Sequence, residues 1–168
     1  DEGNQLLLAR TESFLQMSPW DFDQSLNGWR KFEAKERIKA ANLIREYIAK
    51  NKDRIINPHE GEKAISLGLM YFHIGQLLAS EGEGYWSEAI EAFNQSSQKG
   101  NGCWNAYVSA TIGFLQNDIK RVEDAIGVIE ASREEDKRSG NLGIVKNFKK
   151  ALEMGERDYE KAYLWSRE

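Results

Sequence analysis

Apolar residues return at helical spacing along most of the chain, and no segment shows the sustained alternation of a half-buried strand. This pattern predicts helices over residues 5–17, 38–49, 58–80, 86–98, 103–116, 120–133, 145–154 and 159–165. Segment 20–32 is rich in aromatic residues, and the i,i+3 pair Trp29 and Phe32 indicates a short helix within it. The sequence therefore predicts an all-α fold.

Turn and cap residues divide this helical pattern into two parts. Asn57-Pro58 is typical of a helix start, with asparagine as the N-cap and proline at the first helical position. We place the start of the long helix 58–80 there. The 168 residues fit one domain, 1–168, with divergent N-terminal helices in 1–57 and helical-hairpin repeats in 58–168.

A pattern of small residues recurs in the second part of the chain. Gly75 is followed by Ala89, and Gly113 is followed by Ala125; a weaker third copy ends at Ala162. The three alanines are 36 and 37 residues apart. Two helices pack closely where one presents a small residue to the other, and one hairpin cannot bury its apolar face alone. We therefore expect stacked helical hairpins.

The spacing of Gly113, Gln116, Ala125, Ile129 and Ser132 resembles the tetratricopeptide repeat, whose period is about 34 residues. The stretch 158–165 is similar to the second helix of a Sel1-like repeat. The proline expected at the repeat end is absent, and the turns vary in length. The resemblance implies a right-handed α-α superhelix of antiparallel hairpins.

A narrower resemblance concerns Phe72–Gln76 and Trp104–Val108, which look like segments of uncharacterised bacterial tetratricopeptide-like proteins. Such proteins often carry an export signal. The resemblance therefore implies a periplasmic or secreted protein, with a signal peptide before Asp1 as one possibility and a tag or chosen boundary as another. It implies no activity.

In tetratricopeptide proteins the first helix of each repeat lines a concave surface that binds peptides or helices. Carried onto this chain, the resemblance gives an apolar-aromatic candidate groove with amide donors and no lysine or arginine clamp. The N-terminal helices either close this groove or leave it open. The candidate residues are Phe72, His73, Gln76, Trp104, Asn105, Tyr107, Phe114 and Asn117.

Composition narrows the choice of partner. The net charge is −4 and the isoelectric point about 5.4, whereas a protein that binds phosphate backbones usually has a basic face. The longest apolar run is the four residues 6–9, far short of the roughly 20 that cross a bilayer. We expect no nucleic acid partner and no membrane span.

Candidate catalytic groups are few. Cys103 is the single cysteine, which excludes an internal disulfide and a zinc site built on a cysteine cluster. A nucleophile–base pair of Cys103 with His59 or His73 is conceivable, but we interpret Cys103 as an idle thiol. The two histidines fall on one predicted helix, roughly 21 Å apart. We therefore expect no metal and no cofactor.

Three functions remain open. The leading hypothesis is a non-enzymatic domain that binds a protein or peptide through its concave surface. The second is a structural module that forms a homo-oligomer through Trp20, Trp29 and Trp165. The third is an enzyme of unrecognised type, which a polar pocket joining His73 and carboxylates would favour.

Overall fold

The fold is all-α in the computed structural model, which describes residues 10–32, 34–133 and 140–165. Within these ranges every regular element is a helix and no strand occurs, as predicted. Residues 10–15 are helical, while the start of the predicted helix 5–17 lies outside the described residues. No helix in these ranges combines the length and the apolar content needed to cross a bilayer.

Eight helices with both ends in the described ranges organise the rest of the chain. They are α1 (Pro19–Gln24), α2 (Arg37–Ile56), α3 (Leu67–Glu81), α4 (Trp86–Asn94), α5 (Gly102–Leu115), α6 (Ile119–Glu130), α7 (Asn141–Glu153) and α8 (Tyr159–Tyr163). Single 3₁₀ turns occur at Trp29–Lys31, Ala34–Glu36 and Glu83–Tyr85.

The predicted start of the long helix at Asn57-Pro58 is wrong. Asn57 instead ends α2, where its backbone N–H donates to the carbonyl of Asp53 at 2.8 Å. Residues 58–66 form an irregular link, and α3 begins after Ser66, whose hydroxyl accepts from the backbone N–H of Leu69 at 3.3 Å. Both Asn57 and Ser66 are good N-cap residues, and the chain uses the second. His59 consequently lies in the link and not on α3.

Helix α2 is longer than the pattern predicts. It passes through the polar stretch after Ala49 and ends at Ile56, with non-helical dihedral angles at Asn51. The reason is packing beyond that kink, because Ile55 is buried in the core. The Nδ2 of Asn51 donates to the carbonyl of Leu15 at 2.9 Å, and Arg54 pairs with Glu62 at 2.7 Å. These contacts offset the loss of helical geometry at Asn51.

Local capping places the later helices close to their predicted positions. The side chains of Asn101, Asp118 and Asp158 each accept a backbone N–H in the first turn of α5, α6 and α8. Such caps satisfy donors that have no partner inside the helix.

Each helix packs on its neighbour in the chain, and α8 also returns to α3. The pairs α2–α3, α3–α4, α5–α6 and α6–α7 share extensive contacts, and α5 also packs on α7. Helix α8 packs on both α7 and α3, and therefore brings residues 159–163 beside α3.

The recurring small residues lie where helices approach each other. A Cβ atom at Gly75 would lie 2.5 Å from the ring of Phe93, and one at Gly113 would lie 3.1 Å from the Cβ of Arg121. Ala89 and Ala162 are fully buried. The small side chains at these positions thus allow the close helix contacts on which the predicted hairpins depend.

Arg157 ties the C-terminal segment to the end of α5. Its guanidinium donates to the carbonyls of Phe114 and Leu115, each at 2.8 Å, and lies 5.1 Å from the ring centre of Trp86. The last carbonyls of a helix lack partners inside the helix and carry partial negative charge, so a cation is favourable there. This contact fixes the residues that lead into α8.

The glycine contact gives a stability prediction. Gly75→Ala places a methyl group against Phe93, which is fully buried and packs on Phe72 at 5.0 Å between ring centres. We expect the free energy of unfolding to fall by about 1–3 kcal/mol, as overpacking a core does. Urea unfolding measures this change.

Gly127→Ala is the matched control, because Gly127 lies inside α6 and a methyl group added there would have nothing within 4 Å. Both variants gain the helix propensity of alanine, up to about 1 kcal/mol, so their difference isolates the contact with Phe93. Equal stability of the two variants would contradict the proposed close contact.

Candidate functional site

The candidate site is a pocket of about 380 Å³ where the N-terminal segment, α3 and α8 meet. We call it the inner pocket. Its lining is contributed by all three parts of the chain: Trp29 and Arg37; His73, Gln76, Leu77 and Ser80; Tyr159, Glu160, Tyr163 and Leu164. Pockets of this size hold small ligands or side chains, with mainly apolar walls and a few convergent polar groups.

A buried carboxylate stands behind one wall of the inner pocket. Asp23 has no exposed surface, and its Oδ1 accepts the indole N–H of Trp29 at 3.1 Å. The same oxygen lies 2.8 Å from Nδ1 of His73, and Oδ2 accepts from Gln24 at 2.6 Å. The rings of Trp29 and His73 are 5.4 Å apart. We call Asp23, Trp29 and His73 the buried cluster.

These hydrogen bonds keep Asp23 ionised. Burial by itself raises the pKa of the Asp23 carboxyl, because a charged group is costly to remove from water. Hydrogen bonds from His73, Gln24 and Trp29 outweigh burial and lower the pKa below its ordinary value of 3.8. The carboxylate is thus an acceptor only, and both Trp29 and His73 must donate to it.

The other ring nitrogen of His73, Nε2, is accessible and has no partner in the described part of the chain. His73 lines the pocket, and none of the described residues bonds to its Nε2. No side-chain nitrogen or oxygen in those residues is both buried and without a partner. Nε2 therefore reaches accessible surface, and the surface that His73 shares is that of the pocket.

Tyr159 forms another part of the lining of the inner pocket. Its ring is buried, and its hydroxyl accepts from Nε2 of Gln76 at 3.3 Å. Burial raises the pKa of Tyr159 well above its ordinary value, so the hydroxyl stays protonated. The neighbouring ring of Tyr163 lies 6.0 Å away, and together the two rings give this wall its aromatic character.

An ion pair at the inner pocket joins two distant parts of the chain. The guanidinium of Arg37, at the start of α2, donates to Glu160 of α8 at 2.6 Å. Glu81 at the end of α3 lies 4.0 Å from the same arginine. Residues from the N-terminal and C-terminal parts of the chain thus contact each other at the inner pocket.

Two of the eight predicted site residues, His73 and Gln76, line the inner pocket. Their i,i+3 spacing on α3 places them on one helix face. Both were predicted as residues of the candidate groove.

The other predicted residues lie elsewhere. Phe72, Trp104 and Tyr107 form an aromatic cluster with ring centres 5.0–5.8 Å apart, in which Phe72 and Tyr107 are buried. Asn105 makes two hydrogen bonds to the backbone of Gln98 and holds the link between α4 and α5. Phe114 is fully buried, and Asn117 is exposed in a turn with φ of 56°.

Trp29, named with Trp20 and Trp165 as part of an oligomer surface, belongs to the buried cluster. Trp20 is half-buried, with the ammonium of Lys63 at 4.9 Å from its ring centre, and Trp165 is also half-buried. The three tryptophans therefore do not form one exposed aromatic face.

Sequence reasoning missed Asp23, Arg37, Tyr159 and Glu160 as site residues. Asp23 has one sequence signal: it sits between Phe22 and Trp29, both buried, in a segment rich in aromatic residues. The charged pair Arg37 and Glu160 has no local signal, because its members are 123 residues apart.

The described residues contain no group of three or more histidine, cysteine or acidic side chains placed to hold a metal ion. Cys103 is half-buried near the start of α5, away from the residues that line the inner pocket. The chemistry of the site therefore rests on the buried cluster, on the tyrosines and on the Arg37–Glu160 pair.

Comparison with family models, with curated proteins and with solved structures gives no match to this chain. The tetratricopeptide and Sel1-like resemblance, the exported location and the repeat superhelix stay predictions.

The buried cluster predicts a large effect of Asp23→Ala. The substitution leaves the indole N–H of Trp29 and Nδ1 of His73 buried without their acceptor, and we expect a loss of about 3–5 kcal/mol in the free energy of unfolding. Asp124→Ala is the control, since Asp124 makes only an exposed pair with Lys120 and its removal should cost at most about 1 kcal/mol. Similar losses in the two variants would contradict the cluster.

The lowered pKa of Asp23 also predicts a pH dependence. Between the folded pKa and the ordinary value of 3.8 the unfolded chain binds more protons, so acidification in that window favours unfolding. The stabilisation by the Asp23 charge is complete above that window and is lost as the pH falls through the folded pKa. The stability difference between wild type and Asp23→Asn should therefore be smaller at pH 3 than at pH 5. A difference that grows on acidification would contradict this assignment.

Proposed function

We propose that this chain is a non-enzymatic binding domain whose partner is a protein segment or peptide that places an aromatic side chain in the inner pocket. We further propose that its hairpins stack as a right-handed, tetratricopeptide-like superhelix, with the inner pocket on the concave side. The observation that carries the proposal is the convergence of three separate parts of the chain on one pocket of about 380 Å³.

The residues that line the inner pocket favour an aromatic group as the ligand. Trp29, His73, Tyr159 and Tyr163 offer ring faces and edges, and Leu77 adds an aliphatic surface. Aromatic rings pack favourably on one another in offset or tilted arrangements, beyond the area they bury. A side chain of this kind would fill much of the volume while its backbone stays at the rim.

The polar residues at the edge of the inner pocket favour a peptide over a free hydrocarbon as the ligand. Glu160, Arg37 and Ser80 are polar residues of the lining, and Leu164 is partly exposed beside them. Such a polar edge around an apolar centre is the usual anatomy of a protein–protein contact. Main-chain amides of a bound segment would find donors and acceptors there.

A peptide display selection tests this proposal. A random peptide library is panned on the wild-type chain. The affinities of the enriched peptides are then measured for the wild type and for two variants. Ser80→Trp fills the pocket with a large side chain, and Leu164→Ala removes apolar surface at its edge. We expect the selected peptides to share an aromatic residue, to bind Ser80→Trp at least tenfold more weakly, and to bind Leu164→Ala more weakly than wild type.

Ser87→Trp is the matched control, because Ser87 is exposed on α4 and does not line the inner pocket. It should bind the peptides as the wild type does. Peptides that bind all four forms equally, or a library that yields no binder, would contradict the proposal.

The buried cluster also favours a second candidate function. An ionised carboxylate hydrogen-bonded to one nitrogen of a histidine, with the other nitrogen facing a pocket, is an arrangement used in general acid–base catalysis. Release of nitrophenol from a p-nitrophenyl ester, above the rate of free imidazole and lost in His73→Gln, would favour this function. Equal rates for wild type and His73→Gln would exclude it for that reaction.

A further inference from the structure

We propose that His73 makes the inner pocket selective for an aromatic group that carries its own N–H or O–H donor, as an indole or a phenol does. This inference rests on the proposed binding function and specifies its ligand: a tryptophan or tyrosine side chain is accepted, and a phenylalanine side chain is discriminated against.

The first step concerns the proton on the imidazole ring. Asp23 presents Oδ1 to Nδ1 of His73 at 2.8 Å, and the same oxygen already accepts the indole N–H of Trp29. A carboxylate can only accept, so Nδ1 must carry the hydrogen. In a neutral imidazole the other nitrogen is then an acceptor with a free lone pair.

The second step concerns what surrounds that lone pair. Nε2 of His73 has no partner in the described part of the chain and reaches the surface of the inner pocket. Two neighbouring polar groups of the lining are already engaged with each other, since Arg37 donates to Glu160 at 2.6 Å. The lone pair of Nε2 is therefore an acceptor that a ligand in the pocket can meet.

The third step concerns the free-energy cost when a ligand covers Nε2 and removes it from water. A ring that enters the pocket removes water from this nitrogen. A ligand donor replaces the lost hydrogen bond, whereas a ring without a donor leaves a covered acceptor unsatisfied. Sites built around such a polar group reject analogues that lack the matching group more strongly than a purely apolar pocket does.

The Arg37–Glu160 pair makes the site unsuited to a strongly charged ring substituent. The two charges are engaged with each other, so the pair offers no unpaired partner to an ionised substituent that leaves water. A neutral donor such as the indole N–H needs no such partner. The charge balance at the rim and the acceptor at the wall thus favour the same ligand class.

The test compares two probes that differ by one donor. N-acetyl-L-tryptophanamide and its N1-methyl indole analogue are titrated into the wild-type chain at pH 7.5, with ligand-observed NMR to obtain affinities. We expect the methylated probe to bind about tenfold more weakly or worse, because it lacks the N–H and covers Nε2. N-acetyl-L-phenylalaninamide should resemble the methylated probe.

The histidine signals supply a second measurement that needs no variant. The chain has two histidines, and ¹⁵N labelling of their rings gives two sets of signals. Nε2 of His73 should show the shift of an unprotonated nitrogen and should move when the parent probe is added. His59 is the internal control, because its side chain is 68% exposed in the link before α3.

Asp23→Asn extends the test. Removing the charge that holds the proton on Nδ1 should reduce the discrimination between the two indole probes, provided that the ring spectrum shows a folded chain. Equal affinity of the wild type for both indole probes, or a protonated Nε2 in the free chain, would overturn the inference. Failure of every probe to bind would count against the aromatic pocket itself and so against the proposed function.

Discussion

The need to satisfy one buried carboxylate constrains the N-terminal half of this molecule. Asp23 has no access to water, so its oxygens must be met by donors, and those donors come from Gln24, Trp29 and His73. Satisfying them fixes the turn after α1 against α3 and sets the orientation of the His73 ring. Much of the character of the inner pocket follows from that orientation, because it decides which nitrogen of His73 stays without a partner in the described residues.

A second constraint is the close approach of helices at small residues. Gly75 allows Phe93 to lie against α3. Arg157 binds the carbonyl groups where α5 ends, and α8, which follows it, packs on α3. The buried cluster and α8 both contact α3, and the inner pocket lies where these parts of the chain meet.

Local signals in the sequence predicted much of the fold and little of the site. Helix periodicity and the small residue Gly75 act over a few residues or one helix contact, and the helices after α3 appear near the predicted positions. The helix start predicted at Asn57-Pro58 was wrong because Ser66 is an equally good N-cap residue and lies nearer to the apolar run that forms α3. Asp23 cannot be told from a surface aspartate by its neighbours, since its partner His73 is 50 residues away. Tyr107 and Phe114 are buried because α5 is packed by other helices on several sides, which helical spacing alone does not reveal.

The Arg37–Glu160 contact has a consequence for how the protein is made. Its members are 123 residues apart, so the pocket wall closes only after the chain has been synthesised through α8. Neighbouring helices such as α3 and α4 meet through short-range contacts, which form early because little chain entropy is lost. The inner pocket is therefore a late product of folding. A chain emerging from the ribosome has its earlier helix pairs before its pocket, which is complete only when α8 docks.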